Sequence, residues 1–199
     1  TALKVFELNR TPRLNSRLLF SAVAFAGLIF LVWLRLHQPP NTVDDAYITF
    51  RYARNLVNGV GFVYNPGERV LGTTTPAYAV LLAMLSRLSG LYDYPRLALL
   101  TNLLLDAASF CLAARLGARL TRSRWTGLAV ALLFAMDGRT LDWSTGGMET
   151  SFNVMAIFLT LTLFVEGRTR LAALAGGLAV LVRPDGVTLA AALFAALGL

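Results

Sequence analysis

Apolar and polar positions alternate along this chain in long blocks rather than residue by residue. Leu18 to Leu34 is apolar throughout, long enough to cross a hydrocarbon core of roughly 30 Å at 1.5 Å per residue. Pro39-Pro40 stops that helix. Thr42 or Asp44 is then placed to cap a second helix of about four turns, ending near Asn58-Gly59. Its Ala46, Phe50, Ala53 and Val57 share one face, the pattern of a helix lying along a membrane surface. An irregular loop follows from Gly59 to Thr75, with a turn at Tyr64-Asn65-Pro66-Gly67.

Beyond it the blocks recur. Residues 76–91 are apolar but interrupted by Arg87, and residues 97–116 form a cleaner span that runs into Arg115, Arg119, Arg122 and Arg124. Basic clusters stay on the cytoplasmic side. If both segments crossed, this cluster would emerge outside, so 76–91 reads as an interfacial or re-entrant helix and 97–116 as the second span. Trp125 to Met136 climbs out, Asp137 to Glu149 is an external connection, and Ser151 to Val165 returns. Leu171 to Val182 goes out again, Arg183-Pro184-Asp185-Gly186 breaks the run, and Val187 to Leu199 begins a sixth span.

The predicted fold is therefore an all-α polytopic transmembrane bundle of five or six spans, with two juxtamembrane helices in the first external loop. Residues 1–17 form a cytoplasmic N-terminus, 18–35 the first span, 36–96 the external loop and 97–199 the remaining spans. A signal peptide shares the basic-then-apolar opening, but this run is long and no small-x-small cleavage site follows it. Trp33 and Arg35 are expected as interfacial anchors. The chain ends in an apolar run at Ala195–Leu199, which leads us to expect that it continues into a longer protein.

Composition supports the same class. Hydrophobic residues make up 56%, against about 45–50% in soluble domains. The net charge of +7 is carried by arginines at the ends of apolar runs, which points to topology and anionic lipid and not to nucleic acid. Cys111 lies inside an apolar run, where a buried apolar role is expected. With one cysteine and one histidine, His37, no zinc-type cluster is available.

Candidate chemistry concentrates in residues 44–76. Asp44 and Asp45 point about 100° apart on a helix. One could act as base or metal ligand while the other caps, or both could cap. Arg51 and Arg54 share a face and suit a phosphate, or equally a headgroup or carboxylate. Tyr47, Tyr52 and Tyr64 could stack on a sugar or anchor at the interface. Glu68 and Arg69 follow a turn and are either ligand-facing or solvated. Mid-span Asp106, with Asn102 one turn before it, is expected to make a structural polar contact. Arg183, beside Asp185, fits an anion or a snorkelling role.

Four pieces in order carry a resemblance: Asp44-Asp45-Ala46-Tyr47-Ile48 with Phe50-Arg51-Tyr52-Ala53; Gly59-x-Gly61-Phe62-Val63-Tyr64-Asn65-Pro66-Gly67-Glu68; Gly147-Met148-Glu149-Thr150; and Arg183-Pro184-Asp185-Gly186. Over residues 18–190 the chain resembles the GT-C superfamily of polytopic glycosyltransferases, and its arabinosyl- and mannosyltransferase-like members in particular. The resemblance implies Asp44 as the likelier base of the pair, with Asp45 beside it. The donor would be a polyprenyl-phosphate sugar, and the acceptor a glycan, lipid or protein. It implies Arg51, Arg54 and Arg183 as donor-phosphate cations, and Tyr47, Tyr64, Glu68, Glu149 and Asp185 along the substrate path. Some family members bind a divalent cation such as Mg, Mn or Ca, for which Asp44, Asp45 and Glu68 would be the ligands here. Family members run to several hundred residues, and close relatives carry an acid where this chain has Leu71. The location implied is a prokaryotic inner or plasma membrane, with the site on the extracytoplasmic face. The alternative is a non-catalytic subunit acting as scaffold or lipid-binding partner in a membrane complex.

Overall fold

The computed structural model describes residues 15–38, 41–68 and 70–197. The expected cytoplasmic segment up to Leu14, the Pro39-Pro40 stop, Arg69 and the last two residues lie outside these. The described residues are all-helical: α1 (Ser16–His37), α2 (Ala46–Val57), α3 (Pro76–Ser89), α4 (Tyr94–Thr121), α5 (Arg124–Met136), α6 (Gly138–Thr145), α7 (Thr150–Val165), α8 (Thr169–Val182) and α9 (Val187–Leu197). A single 3-10 turn, Pro184–Gly186, separates the last two. Both α1 and α4 are long and apolar enough to cross a membrane, while α3, α5, α7 and α8 are apolar but shorter.

Local signals set most boundaries. Pro76 opens α3, and Gly90 closes it in the left-handed region at φ 70°, its N–H donating to Ser86 O. Asp93, Ser123 and Asp137 cap α4, α5 and α6 by accepting from Arg96, Thr126 and Thr140 backbone N–H. The short α6 occupies the stretch expected to be an external connection.

α4 is the axis of the molecule. Its 28 residues span roughly 42 Å and pass through two successive cores. Around its first half, Tyr94, Leu97 and Ala98 pack with Phe50 and Ala53 of α2, Tyr78 and Leu82 of α3, Phe152 at the start of α7 and Val182 at the end of α8. Around its second half, Phe110 and Ala113 pack with Leu31 of α1 and Leu128, Ala131 and Ala135 of α5. Gly127 lets α5 approach α4 closely, since a Cβ there would strike the Ala114 carbonyl oxygen and the Ala118 amide.

The buried interior is unusually polar and the outside unusually apolar. Asp106 and Arg35 are 2% and 1% exposed and form an ion pair, Arg35 Nε donating to Asp106 Oδ2 at 2.8 Å. Arg35 Nη1 also donates to Ala135 O at 2.9 Å, while Nη2 is buried without a partner. Arg35 is thus a core residue joining α1, α4 and α5, and not an interfacial anchor. Trp33 does face outward, stacked on Phe30. Cys111 is exposed on α4, contrary to the buried role expected of it. On α1, Leu18, Phe25, Ile29, Phe30, Trp33 and Leu36 are all exposed, far beyond the isolated apolar residues a water-facing surface tolerates.

Charge divides along the α4 axis. At the end where α4 meets α5, and α7 meets α8, Arg115 grips Glu166 in a fork at 2.6 and 2.8 Å, with Arg119 and Arg168 alongside. Arg124 there donates to Ser16 O at the start of α1. The opposite end carries α2, α3, α6, the loop segments 59–68 and 70–75, Glu149 and Arg183.

Candidate functional site

At that opposite end, a cleft of about 240 Å³ is lined by Asp45, Ile48, Thr49, the Gly72–Thr75 segment, Met148 and Glu149. Three pieces of chain build it. The first is the start of α2. Asp45 sits at its N-cap position, but its side chain makes no cap hydrogen bond, and the turn closes through backbone bonds from Ala46, Tyr47 and Ile48 to Val43, Asp44 and Asp45. The carboxylate is left unused by the helix, and the cap position falls on Asp45 instead of the expected Thr42 or Asp44. Thr49 is one turn further along the same face.

The second piece is the extended 72–75 segment. Tyr52 pins it, donating to Val70 O at 2.9 Å and accepting from Gly72 N–H at 2.7 Å. The hydroxyls of Thr49, Thr75 and Thr73 then form a buried chain with steps of 3.2 Å.

The third piece is the turn from α6 into α7. Val43 N–H donates to Gly146 O at 2.9 Å. Gly147 takes φ 78°, and any Cβ there would press on Phe50, Ala46 and Thr42; only glycine fits both the angle and the space. Asn102 braces the turn from beneath. Its Nδ2 donates to Ser144 O and Met148 O at 3.0 Å, and its Oδ1 accepts from Tyr78 Oη at 2.9 Å. Together these bonds fix Glu149 in place.

Glu149 is 3% exposed. Burial pushes its carboxyl above the usual range; its own backbone amide and Arg183 pull the other way, and Asp185 adds to the rise. Arg183 Nη1 stands 3.5 Å from Glu149 Oε1, and its Nε donates to Asp185 Oδ1 at 3.2 Å. The extended backbone of Arg183 at the break after α8 lets this cation reach Glu149.

The other expected residues fall elsewhere. Asp44 is exposed and is not among the residues lining the cleft. Arg51, Arg54, Tyr47, Phe50, Asn55, Tyr64 and Pro66 line a separate cavity of about 390 Å³. Arg51 Nε donates to Tyr64 O at 2.9 Å and Nη2 to Asn65 Oδ1 at 3.0 Å, with the guanidinium 4.4 Å from the Tyr64 ring centre. Arg54 lies 5.7 Å from the Tyr94 ring centre. Glu68 accepts from Asn65 Nδ2 at 3.0 Å and lines a middle cavity with Ile48, Tyr52 and Tyr64. The three arginines expected at one phosphate are therefore divided between two places.

Asp44, Asp45 and Glu68 do not converge either. Among the described residues no three His, Cys, Asp or Glu side chains are grouped to hold a metal ion, so these acids do not fit the divalent-cation site expected of them. The threonines at 49, 73 and 75 were not singled out by residue type. Their signal was the Thr73-Thr74-Thr75-Pro76 run and the four-residue step from Asp45 to Thr49.

The cleft can supply a free carboxylate, a buried carboxylate paired with a cation, and a line of hydroxyls. Comparison with known proteins adds no relative: no family model, curated protein or solved structure matches this chain.

Proposed function

We propose that this chain is the membrane core of a glycosyltransferase that moves a sugar from a polyprenyl-phosphate donor to an extracytoplasmic acceptor with inversion. The observation that carries the reading is the meeting of Asp45 and Glu149 at one cleft, with Arg183 Nη1 3.5 Å from Glu149 Oε1, so that three distant parts of the chain come together there. The apolar exterior and the two long apolar helices support a bundle set in a membrane, and the resemblance supplies the prokaryotic inner or plasma membrane as the setting. The arginines around Glu166 favour the cytoplasmic side for that end, which puts the cleft outside.

In this reading the acceptor hydroxyl lies against Asp45, whose carboxylate takes its proton as the oxygen attacks the anomeric carbon. The carbon–oxygen bond to phosphate breaks, and the polyprenyl phosphate leaves with the electron pair. Arg183 meets the charge growing on that phosphate, and Glu149 holds Arg183 in position. Asp45 takes the role the resemblance gave to Asp44, because Asp45 is the member of the pair that lines the cleft.

The test is sugar transfer by the full chain in membranes, from polyprenyl-phosphate sugars. Asp45→Asn should reduce turnover at least about 100-fold, within the usual range for a general base, with membrane insertion intact. Asp44→Asn should stay near the parent. Normal turnover by Asp45→Asn would end the assignment. Absence of transfer by the parent with every donor class would leave the non-catalytic lipid-binding or scaffold subunit.

A further inference from the structure

The arginine cavity is too far from the acid cleft to serve the leaving phosphate. A general base lies about 3 Å from the hydroxyl it deprotonates, and the hydroxyl oxygen lies about 3–3.5 Å from the carbon it attacks. The departing phosphate oxygen, on the far side of that carbon, is then within roughly 8 Å of the base. Arg51 and Arg54 lie roughly 9–14 Å further along the axis of α2 than Asp45, and roughly 120–180° round it. Their guanidiniums are held toward Tyr64 and Tyr94, not toward the cleft.

The cavity is nonetheless suited to an anion. Two of the five guanidinium N–H groups of Arg51 are engaged, by Tyr64 O and Asn65 Oδ1, which orients the fork and leaves the rest to donate. Arg54 forms no ion pair among the described residues. Aromatic rings beneath both guanidiniums orient them and limit their hydration. The 59–68 loop is strapped over α2 by Asn55, whose Nδ2 donates to Val63 O at 2.7 Å, so the cavity wall is built and not incidental.

The two places are neighbours of one middle cavity. Tyr64 lines both the arginine cavity and the middle cavity, and Ile48 lines both the middle cavity and the acid cleft. We infer that Arg51 and Arg54 form a second anion subsite, which holds a phosphate group of the acceptor while the acceptor's reacting hydroxyl reaches Asp45 along the groove. The acceptor class is then a phosphate-bearing molecule long enough to reach from the arginine pair to Asp45, an offset of roughly 9–14 Å along α2 to which the turn round the helix adds. The word acceptor rests on the transferase reading; the anion subsite does not.

The experiment is binding to the full chain in nanodiscs of zwitterionic phosphatidylcholine, with two probes: inorganic pyrophosphate and short-chain phosphatidic acid. At least one should bind, and Arg51→Gln/Arg54→Gln should weaken it by at least about tenfold, as expected for loss of charge-assisted forks. Arg139→Gln, at an exposed arginine of α6 that lines none of the three cavities, should leave it unchanged. Should the double Gln variant misfold, Arg51→Lys/Arg54→Lys keeps the charge and loses the fork, and should bind more weakly than the parent. Binding of both probes means phosphate alone is recognised; binding of the lipid alone means the source is a lipid headgroup. Failure of both probes to bind, parent-like binding by the Arg51/Arg54 variants, or equal damage from Arg139→Gln would overturn the subsite. Probe binding without any sugar transfer would sink the transferase reading and leave the subsite standing.

Discussion

Breaking the Arg35–Asp106 pair should cost far more than breaking any pair on the surface. Both side chains are almost fully buried, so neither charge can turn to water when its partner goes. Loss of one member of such a pair costs about 3–5 kcal/mol. Asp106→Asn keeps an oxygen that can still accept from Arg35 Nε, which places it near 3 kcal/mol, at the low end of that range. Asp106→Ala leaves the guanidinium with only the Ala135 carbonyl and should lie near 5 kcal/mol, at the upper end. The double variant Arg35→Met/Asp106→Leu removes both charges and fills similar volume, so it should recover most of the loss. The assay is reversible unfolding in mixed micelles, followed by helical circular dichroism. Two outcomes would refute the reasoning: a single-variant loss below about 1 kcal/mol, the value of an exposed pair, or a double variant that merely sums the two single losses.

Glu149 gives a prediction in pH. Its carboxyl titrates above the ordinary 4.5, so the folded state holds this proton more tightly than the unfolded state does. Its contribution to stability is therefore greatest below pH 4.5, and it falls as pH rises through the raised value. Glu149→Gln should gain stability relative to the parent over that rise, read as unfolding midpoints; parallel profiles would refute it. Glu166, held below its ordinary value by Arg115, acts with the opposite sign, but it is common to both proteins and cancels in the comparison. Gly127→Ala should destabilise by about 1–3 kcal/mol although alanine favours helices by about 0.5–1 kcal/mol, because the clash is with the backbone of α4. Unchanged stability in the same unfolding assay would show that α5 can move aside.

The helices were legible because each apolar block sits between residues that stop or start helices by themselves. The break at Arg183-Pro184 is an example. The short α6 was not, because its eight residues are mostly polar. Sequence gave Asp106 a polar contact but could not name the partner, which lies 71 positions away. Arg35 was misassigned for a physical reason: a basic residue near the end of an apolar run has the same pattern whether it meets headgroups or a carboxylate. The site divided along the same line. Residue type grouped three arginines, but side-chain direction on α2 separates two of them from the cleft, and direction depends on where the 59–68 loop folds back. Between Asp44 and Asp45 the choice turned on the rotation of one helix, which no adjacent pair can reveal.

The 71 positions between Arg35 and Asp106 also set a timetable. At about 5–20 residues per second, α1 leaves the ribosome roughly 4–14 s before its carboxylate partner exists. During that interval the arginine must be accommodated alone. In the membrane setting proposed above, its place two residues before the end of α1 lets its long side chain reach the aqueous boundary while it waits. An arginine at the middle of the helix would have no such refuge. Burial of Arg35 is then a late event of biogenesis, completed only when α4 and α5 arrive, so a ribosome stalled between the two residues would hold α1 in a different lateral position from the one it takes in the finished protein.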